Sequence, residues 1–268
     1  MNMITSSQNP LVKDIKALKI RKNREESKEF YIEGERFIEE ALKEKEQIKR
    51  VFVSESFLNK RAYSPIFSAL EKEKADSCIV PDKLFREISD TENPQGIIAV
   101  MEMKQCGLSD FINSEGFVII LEALQDPGNM GTIIRTADAA GCRGIVVSKG
   151  CVDIYNPKVL RSTMGSIFHV PICFSDSLTS TIVEIKSKGF RVLGAHLSGA
   201  LTVYEADMRG KTAIIIGNEA NGMSDEAALL VDQLLKIPMP GRAESLNASV
   251  AAGILMYEAV RQNVRNIN

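Results

Sequence analysis

The chain has no tryptophan and only two histidines, His169 and His196, in 268 residues. Neither belongs to an HExxH string, and no paired His-carboxylate spacing occurs, which argues against a metal hydrolase. Five cysteines, at 78, 106, 142, 151 and 173, are odd in number and never spaced CxxC. That pattern argues against a disulfide framework and a structural zinc site, and predicts buried, reduced thiols with no metal. No apolar run reaches the roughly 18 residues of a membrane span. The polar opening MNMITSSQNP lacks the basic-then-apolar layout of a secretory signal, so the expected location is the cytoplasm. An excess of base is missing too: 33 Lys and Arg stand against 35 Asp and Glu, unlike a dedicated DNA binder. Neither GxGxxG nor a P-loop is present, which disfavours nucleotide phosphates as ligands.

What remains is a chain with 44% hydrophobic residues, enough for one or two cores. Residues 1–104 mix charged helical patterns (10–24, 33–46, 65–74) with short strand-like runs at 50–54, 77–81 and 95–103, an α/β pattern long enough to fold alone. Residues 105–116 are polar, without clear periodicity, and read as a linker. From 117 to 268 apolar runs at 117–123, 143–148, 168–172, 190–196, 212–217 and 234–239 alternate with helical patterns at 129–140, 156–164, 176–189, 224–231 and 245–264. This predicts a parallel sheet covered on both faces. Ligands of such sheets sit beyond the carboxyl ends of the strands, which directs attention to the strand-to-helix turns.

Three turns stand out. In EALQDPGNMGTIIRTADAAG (122–141), Asp126 to Asn129 form a turn and cap, and Arg135 follows two helical turns on. Capping and a solvated charge would account for this turn equally well. IIIGNEANGMSDE (214–226) closes a strand with Gly217 and Gly222 around Glu219. In IPMPGRAESLNASVAAGILMYEAVRQ (237–262), Ser245, Asn247 and Ser249 crowd one helix start. A cap needs one side-chain oxygen, so the others suggest a pocket with directed polar contacts.

Together these strings resemble the SpoU, or TrmH-type, family of RNA ribose 2′-O-methyltransferases within the SPOUT class. DPGNMGTIIRTADAAG is similar to the family's first motif, IIIGNEANGMSDE to its second, and IPMPGRAESLNASVAAGILMYEAVRQ to its third, in family order. SSQNPLVKDIKALKIRKNR with FYIEGERFIEEAL resembles, more loosely, the L30e-like α/β domain that precedes many members. The resemblance implies a C-terminal parallel-sheet domain with a deep trefoil knot over 117–268, a substrate-binding domain over 1–104, and a homodimer through the catalytic domain. It also implies S-adenosyl-L-methionine as cofactor, held at Gly217, Ile237, Leu246, Gly222 and Met239, with His196 and Leu197 nearby. Asn129, Arg135, Glu219, Ser245 and Asn247 match the family's functional side chains.

The reaction so implied moves a methyl group onto a ribose 2′-oxygen and removes one proton. A free guanidinium keeps its proton far above neutrality, so a neutral arginine at pH 7 costs on the order of 8 kcal/mol, and an electrostatic holder is the better role for Arg135 than a base. RNA is the implied partner because DNA has no 2′-hydroxyl, with ribosomal RNA favoured over transfer RNA. Between Lys13 and Arg24 six basic residues meet one acid at helical spacing. Lys13, Lys16, Arg21 and Arg24, with Lys158, Arg161 and Arg242, are the expected phosphate contacts. A non-catalytic RNA-binding or assembly factor, a base methyltransferase of the SPOUT class and a nucleotide-dependent enzyme remain alternatives at this point.

Overall fold

The computed structural model describes residues 2–61, 65–73, 75–104 and 106–263. Lys74, Gln105 and the residues from 264 onward, which fall in the expected helix 65–74, linker and final helix, lie outside the described residues. In chain order the strands are β1 (Asn2–Met3), β2 (Glu29–Glu33), β3 (Ile48–Ser54), β4 (Asp76–Val80), β5 (Ile97–Glu102), β6 (Phe117–Leu121), β7 (Ile145–Ser148), β8 (Ile172–Ser175), β9 (Arg191–Ala195), β10 (Leu201–Thr202), β11 (Thr212–Ile216) and β12 (Gln233–Lys236). The helices are α1 (Pro10–Ala17), α2 (Arg21–Ser27), α3 (Glu35–Lys43), α4 (Glu55–Arg61), α5 (Pro65–Lys72), α6 (Asp82–Ile88), α7 (Pro127–Ala139), α8 (Pro157–Thr163), α9 (Leu178–Ser187), α10 (Asp225–Ala228) and α11 (Ala248–Asn263).

They form two units: Met1–Lys104 with Tyr155–Phe168, and Gln105–Ile154 with His169–Asn268. The first is built on a five-stranded sheet of order β1-β4-β3-β5-β2, parallel up to β3 and antiparallel beyond it. Val12 and Ile15 of α1 pack with Phe52, Val80, Leu84, Phe85 and Ile98 in its core. β2 was not expected from the sequence, although its three central residues, Phe30 to Ile32, are buried. Helix α8, read from the sequence as part of the second domain, packs with this unit. The segment carries aromatic anchors: Tyr155 lies 4.6 Å from Phe30 and Phe168 lies 5.4 Å from Phe37, ring centre to ring centre. Phe168 is therefore in a short 3₁₀ turn, and the strand expected at 168–172 begins only at Ile172.

The expected basic helical face breaks up. α1 ends at Ala17, and α2 starts anew after the extended Ile20. Side chains from α2 fold back onto carbonyls at the end of α1: Asn23 Nδ2 donates to Ala17 O at 3.0 Å, beside the Ile20 amide, and Arg24 Nη1 donates to Leu18 O at 2.6 Å. Arg24 is consequently 2% exposed and cannot be a phosphate contact, a correction to the helical-wheel reading. Lys16 pairs with Glu87 at 2.7 Å and Arg21 with Glu25 at 2.7 Å, whereas Lys13 is exposed with no ion-pair partner among the described residues.

The second unit carries a seven-stranded sheet of order β10-β12-β9-β11-β6-β7-β8, parallel throughout its described pairs. Central strands β6 (FVIIL) and β11 (TAIII) are buried at every position, as continuous apolar runs covered on both faces should be. The stretch expected as a linker differs from that expectation: Phe111 and Ile112 are buried among Val118, Ile120, Ile182, Ile185 and Val192. Two apolar residues in a polar context are enough to anchor a segment by hydrophobic burial. α11 packs against α7 and β11. The expected helix at 224–231 is a single turn, α10, capped by Ser224.

Candidate active site

A cavity of about 770 Å³ opens at the carboxyl ends of β9, β11 and β12, where a parallel sheet is expected to hold its ligand. Its wall is made of Ala195 to Ser198, Ile216 to Gly222, Leu235, Ile237, Met239, Glu244 to Ala248, Ala251 and the side of Asn129. Asn129, Gly217, Glu219, Gly222, Ser245 and Asn247 from the three turns therefore line one cavity, whereas the caps Asp126 and Ser249 stand behind its wall and Arg135 lies apart. Arg135 is exposed on α7, outside the cavity of its own chain, and carries no hydrogen bond or ion pair among the described residues.

Asn129 begins this geometry. Asp126 caps α7, its Oδ1 accepting the Asn129 amide proton at 2.7 Å, with Pro127 in the first turn where no backbone donor is needed. The Asn129 side chain, 7% exposed, is then oriented from both ends. Its Nδ2 donates to Glu219 Oε1 at 3.1 Å, and its Oδ1 accepts from Asn247 Nδ2 at 2.8 Å. Glu219 also accepts from the backbone N–H groups of Gln125 and Asp126, each at 3.0 Å. Asn247 turns its other side-chain atom to α11: Oδ1 accepts from the backbone of Ser249 at 2.9 Å and Val250 at 3.3 Å, and from the Ser249 hydroxyl at 2.6 Å. One continuous chain of bonds thus ties all three turns together.

The carboxylate is the acceptor that this chain requires. Burial acts to raise the Glu219 carboxyl, and the donors at Gln125, Asp126 and Asn129 outweigh it, holding its pKa below the usual carboxylate value. Glu219 itself is held by a five-residue loop closed on itself, Asn218 N–H to Gly222 O at 2.8 Å and Gly222 N–H to Asn218 O at 2.9 Å. Asn218, not singled out from the sequence, organises that loop. Its Oδ1 accepts from Ala220 N and Asn221 N, and its Nδ2 donates to Ala123 O at 2.8 Å. An Asn directly after a strand is the signal for such a turn. Ala123, which receives this bond, sits in the left-handed region at φ 49°, a strained place for a residue with a Cβ and one found at functional sites.

Gly217 has a specific reason to be glycine. A Cβ there would lie 2.3 Å from the carbonyl carbon of Gly222 and 2.3 Å from Met223 N, so the loop could not close. Gly217→Ala is expected to destabilise the protein by about 1–3 kcal/mol through overpacking and to abolish the cavity's loop wall. Urea denaturation together with ligand titration checks this, and unchanged behaviour in both would contradict the close approach. Ser245 is exposed on the rim, and Ile237, Met239 and Leu246 supply apolar wall. His196 also lines the cavity, its Nδ1 accepting the Ser198 amide proton at 3.1 Å.

Fold and site together define an α/β domain that takes a small molecule against the turns of a parallel sheet. Residues 116–257 match the SpoU rRNA Methylase family, and residues 9–99 match the MRM3-like substrate binding domain. The chain belongs to the SpoU rRNA methylase family. It is 38% identical to the 23S rRNA (guanosine(2553)-2′-O)-methyltransferase RlmP of Bacillus subtilis, covering 96% of this chain and 98% of that protein. Among solved structures, the AdoMet-bound rRNA methyltransferase from Sinorhizobium meliloti is similar over 97% of both chains, at 32% identity and a TM-score of 0.88. The SpoU methyltransferase AviRb from Streptomyces viridochromogenes, in complex with AdoMet, is similar over 95% of this chain and 98% of its own, at 29% identity and a TM-score of 0.86.

Proposed function

We propose that this protein transfers a methyl group from S-adenosylmethionine to a ribose 2′-hydroxyl of ribosomal RNA. The observation that carries this reading is the Glu219–Asn129–Asn247 chain of bonds at the rim of the cavity, built from the three turns that resemble the family's motifs. The wall suits the cofactor. About 770 Å³ lies within the usual range for a small-molecule site, and the lining mixes apolar side chains with the backbone of tight turns. Among the described residues no lysine or arginine lines the cavity to clamp a pyrophosphate, which supports an adenosine carrying an amino-acid tail over a dinucleotide or ATP. Gly217, Gly222, Ile237, Met239 and Leu246 are the residues that would hold it.

S-Adenosylmethionine held there would supply a methyl carbon made electrophilic by its sulfonium, with the neutral thioether as leaving group. The chain's own work is to position and to stabilise. Asn129, fixed at both ends, retains one amide proton and one lone pair for the ribose edge. Asn247 keeps one amide proton for the same purpose, and Ser245 offers a hydroxyl on the rim. Arg135 holds the ribose or its phosphate and the developing oxyanion, with the proton passing to water.

Because Arg135 lies outside its own cavity, this role belongs to the site of a second copy. α11 leaves Val250 and Tyr257 about half exposed, with the partly buried Ile254 between them on the same side of the helix. A homodimer through that stripe, next to α7, brings Arg135 to the partner's cavity. The family's trefoil knot belongs to the same reading. It is supported by the tight passage of the 196–200 turn against β12, where a Cβ on Gly199 would lie 2.5 Å from the Leu235 carbonyl carbon.

For RNA, exposed Lys13 in the first unit, Lys158 and Arg161 three residues apart on α8, and Arg242 are the cations we assign to phosphates. Lys16 and Arg21 contribute less because each is paired. Among the described residues no helix is long and apolar enough to cross a membrane, and an RNA substrate fits the cytoplasm. Mapping 2′-O-methylated positions in ribosomal RNA from cells with and without the gene tests the proposal. One ribose methylation lost without the gene and restored by wild type but not by Arg135→Ala is expected. Complete, unchanged ribosomal methylation would count against ribosomal RNA as substrate.

A further inference from the structure

We propose that Glu244 makes the site select the charged methyl donor over its demethylated product, an inference that rests on the reading of the cavity as an S-adenosylmethionine site. Among the described residues the ionisable groups of the cavity wall are His196, Glu219 and Glu244, with no lysine or arginine. His196 is engaged locally, its Nδ1 accepting the Ser198 amide proton at 3.1 Å. The charge of Glu219 is taken up by the donors at Gln125, Asp126 and Asn129. Glu244 differs from both. It is exposed on the segment between β12 and α11, makes no hydrogen bond or ion pair among the described residues, and faces the same cavity as Ser245, Leu246 and Asn247. Its place in the chain is fixed three residues later, where Asn247 caps α11 and bonds Asn129.

The two ligands differ by one charge. S-Adenosylmethionine has a permanent sulfonium cation and a zwitterionic tail, so its net charge is positive. S-Adenosylhomocysteine has the same tail, a neutral thioether and no net charge. The wall that one chain supplies, with two carboxylates and no lysine or arginine among the described residues, favours the first ligand and is indifferent to the net charge of the second, and an Arg135 brought by a second copy acts alike on wild type and on Glu244 variants. Of the two carboxylates, Glu244 is the one whose charge no protein donor compensates. It therefore sets the difference and lets the product leave more readily than the donor. The cavity is open to solvent, so screening limits the preference from this single charge to about fivefold.

Isothermal titration of the purified full chain with each ligand, at low and at physiological salt, tests this for wild type, Glu244→Gln and Glu244→Lys. The Gln variant is expected to bind S-adenosylmethionine about fivefold more weakly while S-adenosylhomocysteine stays within about twofold. The Lys variant should invert the preference, and salt should erode that of wild type. Equal weakening of both ligands would assign Glu244 to the shared tail or to loop structure and overturn the inference, as would no change at all. If wild type bound neither ligand, the reading of the site would fall and this inference with it; binding with an unchanged ratio would remove the inference alone.

Discussion

Arg135→Ala is expected to lower methyl transfer by about 10²–10³-fold, the usual loss when a preorganised electrostatic partner of a developing anion is removed. Cofactor affinity should stay within about twofold, because the role assigned to Arg135 is to hold the ribose and the developing oxyanion rather than the cofactor. The residue is exposed on α7, beside the helix that carries the half-exposed Val250 and Tyr257, and the proposal has it act in the site of a second copy. Mixed dimers separate the two arrangements. If Arg135 acts across the interface, equal amounts of Arg135→Ala and Glu219→Gln subunits give half heterodimers, each with one intact site. About a quarter of wild-type activity should then return. If Arg135 served its own cavity, every site would carry one defect and nothing would return.

Glu219→Gln carries the second large effect. The carboxylate accepts from the Gln125 and Asp126 amides and from the Asn129 side chain. A glutamine places an NH₂ group against one or more of those donors. Loss of charge-assisted bonds at three positions, each worth about 1.5–3 kcal/mol at most and partly replaced by water, predicts a fall of about a hundredfold in kcat/KM. Acid should mimic the substitution. The folded pKa of Glu219 lies below the ordinary value of about 4.3, so its contribution is full above that value and is lost as pH falls through the lower, folded one. Wild-type cofactor binding should hold down to about pH 4.5 and fail further below, whereas the Gln variant should be weak throughout and lack that acid limb. Titrations from pH 7 to about pH 3 read this directly, and an identical acid limb in both proteins would show that another group controls it.

Much of the site was legible because its parts are local strings. Asn129, Glu219, Ser245 and Asn247 each stand at a strand-to-helix turn, where residue type and spacing already limit the roles available. Their meeting was not legible: the bonds Asn129–Glu219 and Asn129–Asn247 span 90 and 118 residues, and only the order of strands in the sheet brings them together. The fully apolar β6 and the four apolar residues after Thr212 in β11 announced a sheet covered on both faces, while β2 hid between acidic flanks. Arg24 shows how periodicity fails, since a helical wheel assumes an unbroken helix. The break after Ala17 turned that side chain inward, onto a carbonyl that the break itself had left open. Asn218 was passed over because its work is done on backbone groups of its own loop and on Ala123, contacts that leave no periodic trace.

The central claim is transfer of a methyl group to a ribose oxygen, and one measurement addresses it most directly. Purified protein is incubated with S-adenosylmethionine labelled in the methyl group and ribosomal RNA from cells lacking the gene, with Arg135→Ala alongside, and the RNA is digested to nucleosides. Label in a single 2′-O-methylnucleoside, absent with the variant, is the predicted result. Label on a base would contradict it.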